Sequence, residues 1–176
     1  MMRGLATVPI VFLLAIVAGC DGGNDNVATQ PPRTSTSETT TSETGRAALE
    51  QAARVALSEN RRLSVYVLWN NTIPTWGERS TRGPALASLR TAAKNRRNRG
   101  IRVRMLESQR EVLSLRLDPS YLRATAVVLD RQRVQPSRRN GRPLGRAATL
   151  NERARYELRR VGETDRFVVW RVVLLP

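Results

Sequence analysis

Gly100 separates two hydrophobic periods, and a single kind of secondary structure cannot serve both. Before it, Leu49, Ala52, Ala53, Ala56, Leu63 and Val67 recur at steps of three, four and seven. That is the stripe of a helix that buries one face. After it, Ile101-Arg102-Val103-Arg104-Met105 and Leu113-Ser114-Leu115-Arg116-Leu117 alternate, as a strand does when one sheet face is covered and the other wet. From Gly45 onward the chain therefore reads as α+β, with helices first, strands second, and the helices covering one face of the sheet.

Punctuation residues set the boundaries. The first helix runs from Gly45 to Asn70 with Glu50/Arg54 as an i,i+4 pair, and Ser58-Glu59-Asn60 is expected to weaken its middle. Leu68 to Arg82 reads as a loop carrying Trp69, Pro74 and Trp76. Gly83-Pro84 opens a second helix and Gly100 ends it. Its apolar face is Ala85, Leu86, Leu89, Ala92 and Ala93, and its last turn is basic. Asp118-Pro119-Ser120 is a turn into a strand from Tyr121 to Val134, with Leu122, Ala124, Ala126 and Val128 on one face and Thr125, Val127 and Leu129 on the other. A basic hairpin loop, Pro136 to Gly145, leads to a strand over Thr149 to Val161, and Gly162 to Asp165 turns into Phe167 to Leu175. On that last strand Trp170 alternates with Val168 and Val172, which predicts a core position for its ring. Short turns make the strands an antiparallel meander. Strands longer than ten residues predict a strongly curved sheet of about four long strands, since strands usually run about three to ten.

The first forty-five residues follow other rules. Arg3, then the apolar run Leu5 to Val17, then Ala18-Gly19 before Cys20 describe a secretory signal peptide over residues 1–19. The run falls short of the roughly 20 apolar residues that span a bilayer. Val17-Ala18-Gly19-Cys20 resembles the lipobox of bacterial lipoproteins, which implies a diacylglyceryl group on Cys20, a palmitate-type membrane anchor and an extracytoplasmic domain. Two or more acyl chains make such anchoring stable where one gives only marginal binding. Cys20 is the sole cysteine, so the folded part has none for a disulfide, a metal or a thiol nucleophile. Residues 20–45 form the lipidated cysteine and a stalk, with Ser or Thr at nine of the eleven positions from Thr34 to Thr44. A segment with so little apolar surface cannot repay its ordering entropy, and as a coil it reaches roughly 25–30 Å.

Helices followed by long antiparallel strands over residues 46–176 resemble the nuclear-transport-factor-2-like (SnoaL-like) superfamily. The ending Ala154-Arg155-Tyr156-Glu157-Leu158-Arg159-Arg160-Val161, turn, Phe167-Val168-Val169-Trp170-Arg171-Val172 is similar to the final hairpin of its actinobacterial envelope members. The resemblance implies a cone-shaped sheet with helices in its concave face. Fold alone says little about function.

Histidine is absent, which removes Ser-His-Asp and Cys-His catalysis and histidine-ligated metals. No glycine-rich phosphate loop follows a strand, so neither cofactor nor metal is expected. For acid–base chemistry only Asp130, Tyr121 and Tyr156 remain, and Asp130 near its strand end has an arginine partner or solvent as its more ordinary role. Residues 46–176 hold 28 basic residues, all but one arginine, against 11 acidic, a net of +17. Export away from the cytoplasm argues against nucleic acid, which leaves anionic lipid headgroups, acidic polymers and acidic proteins as partners. Arg138, Arg139, Arg142 and Arg146 in the hairpin, and Arg96, Arg97 and Arg99 at the helix end, are the candidate contact residues. Trp69, Trp76, Tyr121 and Tyr156 are candidate pocket residues. The expectation is a non-catalytic, membrane-tethered envelope lipoprotein that binds a protein partner or an anionic surface. A carrier of a small apolar ligand in the cone is the alternative, and an enzyme is third. Whether the chain is a monomer or a dimer is open.

Overall fold

The change of period at Gly100 is a change of element. The computed structural model describes residues 43–176; the signal peptide, Cys20 and nearly all of the stalk lie outside the described residues. Helix α1 spans Glu43–Asn70, a short 3₁₀ turn Thr75–Arg79, and helix α2 Gly83–Asn98. Four strands follow: β1 Ile101–Leu117, β2 Arg123–Arg138, β3 Ala148–Arg160 and β4 Phe167–Leu175. They form one antiparallel sheet in the order β1-β2-β3-β4.

The helices pack on one face of this sheet, as the alternation requires. Leu49, Ala53 and Leu57 of α1 meet Ala124, Ala126 and Val128 of β2, Ala154, Tyr156 and Leu158 of β3, and Phe167 and Val169 of β4. Small residues on β2 leave room for the helix to lie close. A second cluster, Leu63, Val67 and Ala93, joins the far half of α1 to α2. Among the described residues no helix is long and apolar enough to cross a membrane.

The structure corrects four expectations. The sheet is not strongly curled. Its long strands are instead interrupted by register shifts at Met105/Glu107 and Val112/Ser114 in β1 and at Trp170 in β4, opposite Glu157/Leu158 of β3, and bulges take up bending locally. The middle of α1 is continuous, because Asn60 is buried and its Nδ2 donates to Thr81 Oγ1 at 2.8 Å. Tyr121 and Leu122 belong to the turn before β2: Tyr121 has φ 56° and Leu122 is exposed. Most consequentially, Trp170 is not in the core. Trp170 is itself the extra residue of a bulge opposite Glu157/Leu158, which sends Phe167 and Val169 inward before it and Val172 after it. The indole lies half-exposed, with the Arg159 guanidinium 4.0 Å above its ring.

Both helix boundaries use the left-handed backbone that glycine adopts freely. Gly100 (φ 65°) ends α2 and turns the chain into β1. Gly83 (φ 56°) starts α2 against the Trp170 ring, where a Cβ would sit 2.7 Å from the indole.

Candidate functional site

Three strands bring polar side chains into line on the helix-covered face. Arg110 of β1 stands opposite Asp130 of β2, and Asp130 opposite Glu152 of β3. The Arg110 fork donates Nε to Asp130 Oδ1 at 2.8 Å and Nη2 to Oδ2 at 2.7 Å. Arg110 Nη2 also donates to the Tyr156 hydroxyl at 2.8 Å, and Nη1 to the Leu57 carbonyl of α1 at 2.8 Å. The Tyr156 hydroxyl in turn donates to Asp130 Oδ2 at 3.4 Å. Burial of Arg110 pulls its pKa down, but the hydrogen bonds and charge of Asp130 and Tyr156 outweigh it, and the net shift is upward. Burial, ahead of the nearby charges, pushes the Tyr156 phenol up to about 12. The Glu152 carboxyl is also raised, first by burial and then by the charge of Asp130.

This arrangement is built to hold α1 on the sheet. A carboxylate that accepts a two-pronged arginine and a phenol has both of its oxygens in use. Among the described residues every buried side-chain nitrogen and oxygen has a hydrogen-bond partner, and no cluster of acidic residues is arranged to hold a metal. Of the two roles expected for Asp130, solvated acid or arginine partner, it has the second, but from the middle of β2 rather than near a strand end. Arg110 and Glu152 escaped the sequence reading, because in a run of polar residues nothing marks the one that turns inward.

The candidate pocket residues do not share a cavity. Trp69 lies under Arg102, 5.6 Å from guanidinium to ring. Trp76 packs edge-on to Tyr66 at 5.9 Å and lines an open groove of about 730 Å³ between α1 and β1. Tyr121 packs on the main core from its turn, and Tyr156 belongs to the buried polar cluster. A smaller cleft of about 340 Å³ involves Gln109, Glu111, Leu129 and Arg131 of β1 and β2.

The segments that carry the candidate arginines lie at one end of the sheet. Ile101 pairs with Arg138 and Arg102 with Ser137, so the end of α2 and the β2–β3 hairpin share one end of the sheet. The hairpin is tied by Arg138 N–H to Arg142 O at 2.8 Å and Gly141 N–H to Arg138 O at 2.9 Å. Arg97, Arg99, Arg138, Arg139, Arg142 and Arg146 are exposed, and none takes part in an ion pair among the described residues. Arg96 departs from the group. It turns inward, with Nε to Asn71 Oδ1 at 3.0 Å and Nη2 to Val67 O at 3.2 Å. Its pKa is lowered by burial. It closes the C-terminus of α1, where helix carbonyls lack intrahelical donors.

No protein-family model and no curated protein matches this chain. Among solved structures it is similar to the intermembrane space region of chloroplast protein ARC6, with a TM-score of 0.53 at 12% identity, covering 72% of this chain and 95% of that one. At that identity the likeness speaks for the fold alone.

Proposed function

We propose that this protein is a lipid-tethered, non-catalytic binding module of the cell envelope, of nuclear-transport-factor-2-like type, that takes an anionic partner at its basic tip. The observation that carries the reading is the convergence of two arginine clusters, separated in sequence by some forty residues, through the Ile101–Arg138 pairing. Like charges brought together without carboxylates repel, and an anion at the tip relieves that repulsion. The enzyme reading is weakened by Asp130, whose oxygens are occupied, and the carrier reading by the scattering of the four aromatic candidates. Anchoring rests on the lipobox-like Val17-Ala18-Gly19-Cys20.

The tip lies at the C-terminal end of α1, and the chain enters at its N-terminal end. A helix of 28 residues is about 42 Å long.

Two measurements test the proposal. Detergent partitioning should move from membrane to soluble fraction in Cys20→Ser; retention in the membrane would place the anchor elsewhere. Binding of the full chain to polyglutamate should fall far more in Arg138→Gln/Arg139→Gln/Arg142→Gln than when three scattered exposed arginines, Arg54, Arg116 and Arg171, are changed to Gln. Equal losses would reduce the tip to bulk charge.

A further inference from the structure

The groove between α1 and β1 has a chemistry the basic tip lacks. Its sides carry Tyr66, Trp76 and Leu106, exposed by 37%, 38% and 42%, with Met105 between them. These three are among only eight large apolar side chains left exposed in the described residues, and their gathering in one concavity separates them from the scattered apolar groups of an ordinary surface. The edge-on Tyr66–Trp76 packing, at 73° between planes, holds the indole in place before anything binds.

Backbone and charge narrow the occupant. β1 is an edge of the sheet, and Leu106 is the extra residue of the Met105/Glu107 bulge, so hydrogen-bonding groups of an edge lie along the groove. Side chains of α1 and of Asn71, just beyond it, reach that edge. Asn71 Nδ2 donates to Ile101 O at 2.7 Å, and Arg61 donates to Ser108 O and Oγ. The Arg61 guanidinium is half-buried on neutral oxygens, and no ion pair among the described residues involves it or the exposed Arg62 beside it. The acid in the lining, Glu107, is already bridged to Arg133 at 3.1 Å. The result is an aromatic concavity with a positive rim beside a strand edge. An extended peptide docking on such an edge draws affinity from its main chain and specificity from alternate side chains.

We propose that this groove binds an extended acidic segment of a partner protein, which seats a bulky apolar side chain against Trp76 and Leu106 and sets carboxylates on Arg61 and Arg62. The inference goes beyond the tip reading and fails separately from it.

The test uses the full chain and fluorescently labelled nonapeptides followed by anisotropy. One peptide alternates Glu with Leu and Phe; in a second, Ser replaces the apolar residues; in a third, Lys replaces Glu. The first should bind about tenfold or more tighter than either comparator, and Trp76→Ala or Leu106→Ser should each cost it about tenfold, as for a central anchor. Both side chains are exposed, so thermal melts should show the variants folded; if one is not, the other decides. The tip triple variant should leave this affinity within about twofold. Equal binding of the Ser peptide would mean charge alone, and equal binding of the Lys peptide mere greasiness; either overturns the proposal. So would unchanged binding in both groove variants. Concentration-dependent self-association that Leu106→Ser abolishes would give the groove to a second copy of this chain instead.

Discussion

Arg110 and Asp130 face each other across the β1–β2 ladder and close a two-pronged ion pair, their side chains only 8% and 7% exposed. With Tyr156 and the Leu57 carbonyl the pair joins three strands and α1 at one point. Breaking a buried pair from one side leaves a charge without compensation, which costs about 3–5 kcal/mol. Asp130→Ala should therefore lose about that much in urea denaturation. The double variant Arg110→Met/Asp130→Leu should be more stable than Asp130→Ala, because it removes both charges. A double variant as damaged as the sum of the single losses would mean that the two residues act separately.

Glu152 sits opposite Asp130 on the same sheet face, and its carboxyl is raised from the ordinary 4.5 by burial and by that neighbour's charge. A raised carboxyl favours the protonated form in the fold. The stability it lends is fully present below 4.5 and is lost as pH rises through the folded value, so at neutral pH the charge is a burden. Glu152→Gln should stabilise the domain at pH 7 by about 0.2–1 kcal/mol, the scale of a like-charge cross-strand pair, and the gain should shrink toward zero at pH 4. The Tyr156 phenol, pushed up to about 12 from 10.0, titrates in another window. Its contribution holds below pH 10 and is lost between pH 10 and 12, which a pH series of melting temperatures would register. A gain for Glu152→Gln that persisted unchanged in acid would exclude the electrostatic cause.

Gly83 and Trp170 are coupled by contact. Gly83→Ala puts a Cβ 2.7–2.9 Å from the indole and holds a non-glycine residue at φ 56°. The backbone part costs about 1–2 kcal/mol, and the clash adds to it. Removing the ring should relieve the clash and leave the backbone cost, so the double variant Gly83→Ala/Trp170→Ala should lose less than the two single losses summed. Trp170→Ala alone should cost clearly less than Phe167→Ala, for which the emptied core site implies about 3–5 kcal/mol. Additive losses would show that the ring moves aside freely.

How much of this was legible in the sequence depends on whether one strand or two had to be read. Gly83-Pro84 and Gly100 marked both ends of α2, because a left-handed residue and a proline at the first turn are local requirements. The period change at Gly100 gave helices on one face of a meander. Trp170 was misplaced because its facing depends on the partner strand: it is the extra residue of a bulge opposite Glu157/Leu158, which shifts the register by one residue and inverts the side chains beyond it. Arg110 was missed for the same kind of reason. Its neighbours Ser108, Gln109 and Glu111 are polar, so alternation is silent there, and bulges on both sides of it spoil any count back from the turn. The basic tip was half legible: composition supplied the arginines, and only the ladder showed which of them share an end.

Arg96 and Arg97 are adjacent in sequence and opposite in role, which makes them the sharpest separation of stability from binding in the molecule. Arg96 donates to Asn71 Oδ1 and Val67 O, and Asn71, buried and at φ 55°, passes the contact on to Ile101 O. Truncating Arg96 leaves those acceptors without their charged donor at the end of α1, and hydrogen bonds to charged groups are worth about 1.5–3 kcal/mol. Arg96→Ala should lose stability on that scale while polyglutamate binding, measured well below the melting transition, stays near that of the unaltered chain. Arg97→Gln/Arg99→Gln should do the reverse, since both side chains are exposed and outside every ion pair among the described residues. Melting temperature should be nearly unchanged, and binding should weaken together with a shallower dependence on salt. Should Arg96→Ala abolish binding in a folded protein, the inward arginine would belong to the anion site after all. Should the outer pair prove neutral in binding, the tip would shrink to its hairpin half.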